Sequence, residues 1–80
     1  MANLVLYHYE ECSFCILVRD FMRKEGIRIP LKDILQNPKA REELIRIGGK
    51  PQVPCLAIDN KALYESSDII EWLKKNYKAA

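Results

Sequence analysis

The sequence is short of cysteine, of long apolar runs and of clustered charge, and each shortage argues against a class of protein. Three cysteines in 80 residues are an odd number, which a secreted scaffold of paired disulfides would avoid. No apolar run approaches the roughly 20 residues of a transmembrane helix, and Glu10 and Glu11 follow the opening run too soon for a signal peptide. The 13 basic and 11 acidic residues are mixed along the chain, unlike a nucleic-acid footprint. We therefore expect one cytoplasmic domain over residues 1–80, with neither nucleic acid nor membrane as partner.

Two of the cysteines form the motif Cys12-Ser13-Phe14-Cys15. The apolar residues 4–7 before it have strand character, and the apolar residues after it recur at helical spacing until Gly26. Such a pair at a strand-to-helix junction is typical of a thioredoxin-like redox site. The free N–H groups and the dipole of a helix start would stabilise a thiolate on Cys12, and Cys15 would lie one turn later. The apolar residues that recur at this helical spacing are Phe14, Leu17, Val18, Phe21 and Met22.

A zinc site is the alternative interpretation of the cysteines, and it fits poorly. Structural zinc needs four ligands, whereas Cys12, Cys15, Cys55 and His8 do not have paired spacing. We expect no metal site in the thiol-exchange interpretation. His8 is interpreted first as a hydrogen-bonded or exposed histidine, with a catalytic role as the alternative. Cys55 is interpreted as a core residue, and a regulatory or mixed-disulfide role stays open.

The remaining patterns predict the order βαβαββα. Strands are expected at residues 3–9, 27–31, 53–58 and 61–64, the last two joined by a tight turn at Asp59-Asn60. Helices are expected at residues 13–24, from Asn37-Pro38 to the glycines 48–49, and after a cap formed by residues 66–68. Arg19 is assigned to the solvent side of the first helix. A proline opening an interior strand favours a cis bond between Val53 and Pro54.

This order, with its motifs, resembles the glutaredoxins over essentially the whole chain. The later half is similar to the amino-terminal domain of glutathione transferases. The residues that carry this similarity are Asn37-Pro38, Lys50-Pro51-Gln52-Val53-Pro54 and Tyr64-Glu65-Ser66-Ser67-Asp68-Ile69-Ile70. The resemblance implies a thioredoxin-like α/β fold with a four-stranded mixed sheet flanked by helices.

The resemblance also implies an activity, namely glutathione-dependent thiol–disulfide exchange by a monomer. Cys12 would be the nucleophile and Cys15 the resolving thiol. Glutathione would be the co-substrate, and glutathionylated or disulfide-containing proteins the partners. The backbone of Val53 would pair with glutathione as an added strand, and the helix start after Glu65 would hold its carboxylate. The residues that the resemblance assigns to glutathione are Phe14, Gln52, Val53, Pro54, Glu65 and Ser66.

Two positions depart from the glutaredoxin pattern. Tyr9 stands where a lysine is frequent, which removes one cation beside the Cys12 thiolate, and Ser13 stands where proline is common. Glutaredoxins with serine there are known to hold a [2Fe–2S] cluster between two protomers, which would make Cys12 a metal ligand. The plainer interpretation makes Ser13 a helix cap. A redoxin reduced by thioredoxin reductase, and a piece of a longer transferase, are further alternatives.

Overall fold

The computed structural model describes residues 3–77, in which strands and helices follow the predicted order βαβαββα. The strands are β1 (Leu4–His8), β2 (Leu31–Asp33), β3 (Cys55–Ile58) and β4 (Lys61–Tyr64), and the helices are α1 (Ser13–Glu25), α2 (Pro38–Gly48) and α3 (Ser66–Asn76). The four-stranded sheet has the order β2-β1-β3-β4, with β1 and β2 parallel and the other neighbours antiparallel. The predicted α/β fold with a mixed sheet is confirmed. No helix in this range is long and apolar enough to cross a membrane.

The core consists of two apolar clusters, because successive side chains of β1 and β3 point to opposite faces of the sheet. Leu6 of β1 and Leu56 of β3 are fully buried with residues of α1 and α3. Tyr7 and Cys55, their neighbours in sequence, are buried in the second cluster with residues of α2. The core assignment of Cys55 is therefore confirmed, and helices cover both faces.

Local signals in the sequence define the end of α1, the start of α2 and the turn between β3 and β4. Gly26 ends α1 with φ of 69°, a left-handed conformation that costs glycine little. Asn37 begins α2 by accepting a hydrogen bond from the Lys39 N–H at 3.0 Å, as predicted for an N-cap. Asp59 and Asn60 both have positive φ, 49° and 69°, which is the backbone required by the predicted tight hairpin.

The strand expected over residues 27–31 is wrong in position, since β2 begins only at Leu31. Ile27 and Ile29 do alternate inward, but they are buried against α1 and α3, and the Arg28 N–H donates to the Tyr77 hydroxyl at 3.3 Å. The predicted edge position of this strand is correct. Similarly, β3 begins at Cys55 rather than at residue 53. Of the apolar residues that recur at helical spacing in α1, Phe14 and Leu17 are exposed, by 62% and 54%.

Candidate redox site

Cys12 occupies the N-cap of α1, directly after the loop that leaves β1. Its Sγ accepts a hydrogen bond from the Cys15 N–H at 3.3 Å, and its own N–H donates to the Tyr9 carbonyl at 3.2 Å. The expectation that Ser13 caps α1 is wrong, because the sulfur of Cys12 takes that role and Ser13 is the first helical residue, exposed to solvent. A helix N-terminus favours negative charge on a group placed there. The arrangement is therefore suited to holding a thiolate at Cys12.

Cys15 lies behind Cys12 in the protein interior. Its exposed fraction is 0%, against 8% for Cys12. Burial, followed by the hydrogen bond with the Cys12 thiol, raises the pKa of Cys15 to about 12, and a hydrogen bond with the Tyr9 backbone and then the Arg19 charge oppose part of this rise. The predicted difference in exposure between the two thiols is confirmed. Cys15 is a protonated, shielded thiol one turn from the accessible one.

The loop before β3 reaches the same sulfur from the other side. The Val53–Pro54 peptide bond is cis, as predicted. The carbonyl oxygen of Val53 lies 3.9 Å from Cys12 Sγ, within reach of a weak S–H···O hydrogen bond. Val53 and Gln52 are half-buried and Pro54 is buried. The structure thus brings Val53 next to Cys12, although 41 residues separate them in the chain.

Helix α3 begins without a side-chain cap. Glu65 occupies the N-cap position with φ of 71°, and no side chain accepts a hydrogen bond there. The expectation that residues 66–68 cap the helix is therefore wrong, because they form its first turn, and Ser66 is half-buried. Uncapped N–H groups at a helix start are available to a bound anion. Glu65 and Ser66 therefore stand at an end of α3 that retains donors for a carboxylate.

Phe14 projects from α1 into solvent beside the two thiols. Its side chain is 62% exposed, and that of Leu17, one helical turn further on, is 54% exposed. The position of Phe14 next to Cys12 in the first turn is compatible with the aromatic role that the resemblance implies.

Arg19 is the residue near the site that the sequence analysis missed. Its Nη1 lies 3.0 Å from His8 Nδ1 and 3.1 Å from Glu10 Oε2, and its Nη2 donates to the Glu10 carbonyl at 2.9 Å. With a side chain only 18% exposed, Arg19 does not belong to the solvent side of α1. The available signal was its spacing of four residues from Cys15, which places it on the same helix face. Through its hydrogen bonds with Glu10, Arg19 links the loop before Cys12 to the helix that contains Cys15.

His8 is buried, with 3% exposure, and it completes this network. Because a guanidinium only donates, His8 Nδ1 must accept, which requires the unprotonated nitrogen. Burial and the Arg19 charge lower the pKa of His8 accordingly. His8, Glu10 and Asp33 have ligand atoms within 4.8 Å of one another, a grouping that a metal ion could use. Arg19 donates to two of these three residues, so a guanidinium already serves as the positive partner of the group.

The fold and the paired thiols define the chain as a thioredoxin-like domain. Comparison of the sequence with known families matches residues 6–80 to the family described as glutathione S-transferase, N-terminal domain. The chain belongs to that family, which agrees with the resemblance drawn from its motifs and with a glutathione-related, thiol-based role.

Individual proteins to which the chain is similar include a glutaredoxin in sequence and two transferases in structure. Glutaredoxin 3 of Escherichia coli K12 is 29% identical over 69 residues, which cover 86% of this chain and 83% of that protein. Glutathione transferase Omega 3C of Trametes versicolor superposes with a TM-score of 0.80 at 26% identity, covering 94% of this chain and 34% of the transferase. A rice glutathione transferase in complex with glutathione superposes with a TM-score of 0.76 at 22% identity, again over 94% of this chain and 34% of the other. The chain thus spans about a third of the transferases that it matches.

Proposed function

We propose that this protein is a cytoplasmic, monomeric thiol–disulfide oxidoreductase that uses glutathione to reduce mixed disulfides and protein disulfides. One observation carries the proposal: Cys12 Sγ, at the start of α1, lies within 3.3 Å of the Cys15 nitrogen and 3.9 Å of the Val53 carbonyl. These contacts combine a site for a thiolate with a backbone segment able to hold a thiol-containing peptide. The odd number of cysteines supports a reducing compartment.

The proposed reaction begins with attack by the Cys12 thiolate on the glutathione sulfur of a glutathionylated protein. The new bond joins Cys12 to glutathione, the old disulfide breaks, and the protein leaves as a thiolate that takes up a proton. A second glutathione thiolate then attacks the glutathione sulfur on Cys12. This step releases oxidised glutathione and regenerates the Cys12 thiolate, so each complete cycle consumes one free glutathione thiol and converts the mixed disulfide into a protein thiol and oxidised glutathione.

Cys15 offers an intramolecular route for resolving the intermediate. Its attack on Cys12 would release glutathione and leave a Cys12–Cys15 disulfide. The raised pKa of Cys15 keeps this thiol protonated at neutral pH. Burial is the largest cause of that rise, and it does not depend on a free thiol at Cys12. We therefore propose that free glutathione resolves the Cys12–glutathione disulfide in most turnovers. Cys15 would resolve the mixed disulfide formed between Cys12 and a protein, because the bound protein hinders the approach of a glutathione to Cys12.

Glutathione would bind across two segments, the loop before β3 and the start of α3. The Val53 backbone would pair with its cysteinyl part as an added strand, and the uncapped start of α3 at Glu65 and Ser66 would hold its γ-glutamyl carboxylate. The rice transferase that shares this fold was solved with glutathione bound, which supports the proposal.

A coupled assay tests this function. A glutathionylated peptide is offered to the protein with glutathione and glutathione reductase, or with thioredoxin reductase, as the electron source. Turnover should require glutathione. Cys12→Ser should abolish it, whereas Cys15→Ser should retain reduction of the glutathionylated peptide and lose reduction of protein disulfides. Turnover supported by thioredoxin reductase alone, or surviving in Cys12→Ser, would contradict the proposal.

A second candidate is an iron–sulfur carrier, favoured by the finding that Ser13 is exposed and is not the cap of α1. Four thiolates bind a [2Fe–2S] cluster, and Cys12 from each of two chains with two glutathione thiols would supply them. Anaerobic reconstitution with iron, sulfide and glutathione tests this. A brown dimer that depends on glutathione and is lost in Ser13→Pro, a substitution suited to the first helical position, would support it. A colourless monomer would eliminate it.

A further inference from the structure

Tyr64, the last residue of β4, connects two segments that lie far apart in the chain. Its hydroxyl donates to the Lys50 carbonyl at 3.0 Å, and the Lys50 ammonium lies 4.7 Å from the centre of its ring. Its backbone pairs with Cys55 across the β3–β4 ladder. Tyr64 therefore contacts both ends of the loop that contains Gln52, Val53 and Pro54, and it directly precedes Glu65.

Gly48 makes room for the Tyr64 hydroxyl. A Cβ added to Gly48, the last residue of α2, would lie 1.9 Å from the Tyr64 oxygen. The next residue, Gly49, has open space around it and instead needs glycine for its φ of 85°. Glycine is therefore required at positions 48 and 49 for different physical reasons. Gly49 turns the chain, whereas Gly48 allows the hydroxyl to lie against the end of α2.

We propose that Tyr64 is a positioning residue that sets the spacing between the Val53 backbone and the start of α3, so that one glutathione reaches both. This inference rests on the proposed function. Its basis is placement: the hydroxyl fixes the Lys50 end of one glutathione-binding segment, while the backbone of Tyr64 leads into the other at Glu65. Tyr64 itself would touch neither the substrate nor the thiols of Cys12 and Cys15.

Tyr64→Phe tests the proposal because it removes only the hydroxyl, and with it the hydrogen bond to the Lys50 carbonyl. The variant keeps the ring, the strand pairing and the contact of the ring with the Lys50 ammonium. We expect KM for glutathione and the dissociation constant for S-methylglutathione to rise about 2- to 10-fold, the range that corresponds to one net hydrogen bond. The maximal rate at saturating glutathione and the alkylation rate of Cys12 should not change.

Tyr77→Phe is the matched control. The Tyr77 hydroxyl also joins distant segments, accepting from the Arg28 N–H at 3.3 Å, but it contacts no segment assigned to glutathione. The Tyr77→Phe substitution should lower thermal stability about as much as Tyr64→Phe does, and it should leave KM for glutathione unchanged. A second variant, Gly48→Ala, displaces the hydroxyl without deleting it, and should reproduce the rise in KM even where Tyr64→Phe fails to fold.

The outcomes separate the two proposals. Unchanged affinity in both Tyr64→Phe and Gly48→Ala, or an equal rise of KM in Tyr77→Phe, would overturn the role of Tyr64 and leave the oxidoreductase intact. A wild-type protein that neither binds S-methylglutathione nor turns over with glutathione would overturn the proposed function, and the role of Tyr64 with it.

Discussion

Protonation of His8 should destabilise the folded protein at mildly acidic pH. The buried Nδ1 of His8 accepts a hydrogen bond from Arg19 at 3.0 Å, and the protonated ring would instead place two donors and two positive charges in contact. The other groups facing it are the carboxylates of Asp33 and Glu10 and the backbone of Tyr9, which favour the charged ring. Burial and Arg19 outweigh them, so the pKa of His8 is lowered in the folded state.

The sign and the size of the effect follow from the difference in the pKa of His8 between the folded and the unfolded protein. The unfolded chain binds the proton near the ordinary pKa of 6.5, whereas the folded protein binds it only at a lower pH. The stabilisation is therefore fully present above pH 6.5 and is lost as the pH falls below that value towards the folded pKa. One proton corresponds to a loss of at most about 1.4 kcal/mol per pH unit. That limit is about a tenfold change in the ratio of folded to unfolded protein.

Urea unfolding at a series of pH values from 8 to 5 measures this loss, and His8→Asn is the matched control. The Asn Oδ1 atom takes up approximately the position of Nδ1 and accepts from Arg19 without titrating. Its free energy of unfolding should be nearly flat over the same range. Carboxylates with a lowered pKa, such as Glu43, stabilise the fold above their ordinary value of 4.5 and lose this contribution only below it. A wild-type protein of constant stability between pH 7 and 5, or an equal slope in His8→Asn, would refute the reasoning.

Two further predictions concern the thiols and the core. At pH 7 iodoacetamide should label Cys12 first, as measured by peptide mapping. Cys15 and Cys55 are fully buried, and burial raises their pKa values to about 12 and about 11. Faster labelling of either residue would contradict the assignment of Cys12 as the nucleophile. Leu56→Ala should lower the free energy of unfolding by about 2–5 kcal/mol, because Leu56 is fully buried in the sheet. Leu35→Ala, at a side chain 64% exposed, should change it by less than about 0.5 kcal/mol, and equal losses would show that burial does not decide the cost.

Several elements could be predicted from the sequence because their signals are local. Asn37 and Pro38 begin α2, Gly26 ends α1 and Asp59-Asn60 form the hairpin, each through the backbone preferences of a few adjacent residues. The cysteine pair was placed correctly for the same reason, since its strand-to-helix context lies within about 25 residues. Family similarity added the fold, because its motifs occur in order along the chain.

Other features depended on contacts between distant residues, and no local pattern contains them. The alternation at Ile27 and Ile29 suggested a strand, but pairing with β1 begins only at Leu31. The caps of α1 and α3 were assigned to the usual hydroxyl and carboxylate residues. In the structure α1 is capped by the sulfur of Cys12, and α3 has no side-chain cap.

The sequence alone therefore determined the order of elements and the position of the thiols, while the tertiary structure decided what surrounds them. Arg19 is of a residue type that usually lies at the surface, yet it forms hydrogen bonds with His8 and Glu10 because α1 packs beside the end of β1. Tyr64 fits against Gly48 because β4 ends beside α2. Both contacts depend on how helices pack on the sheet, and the buried surface of the whole domain, rather than any neighbouring residue, fixes that packing.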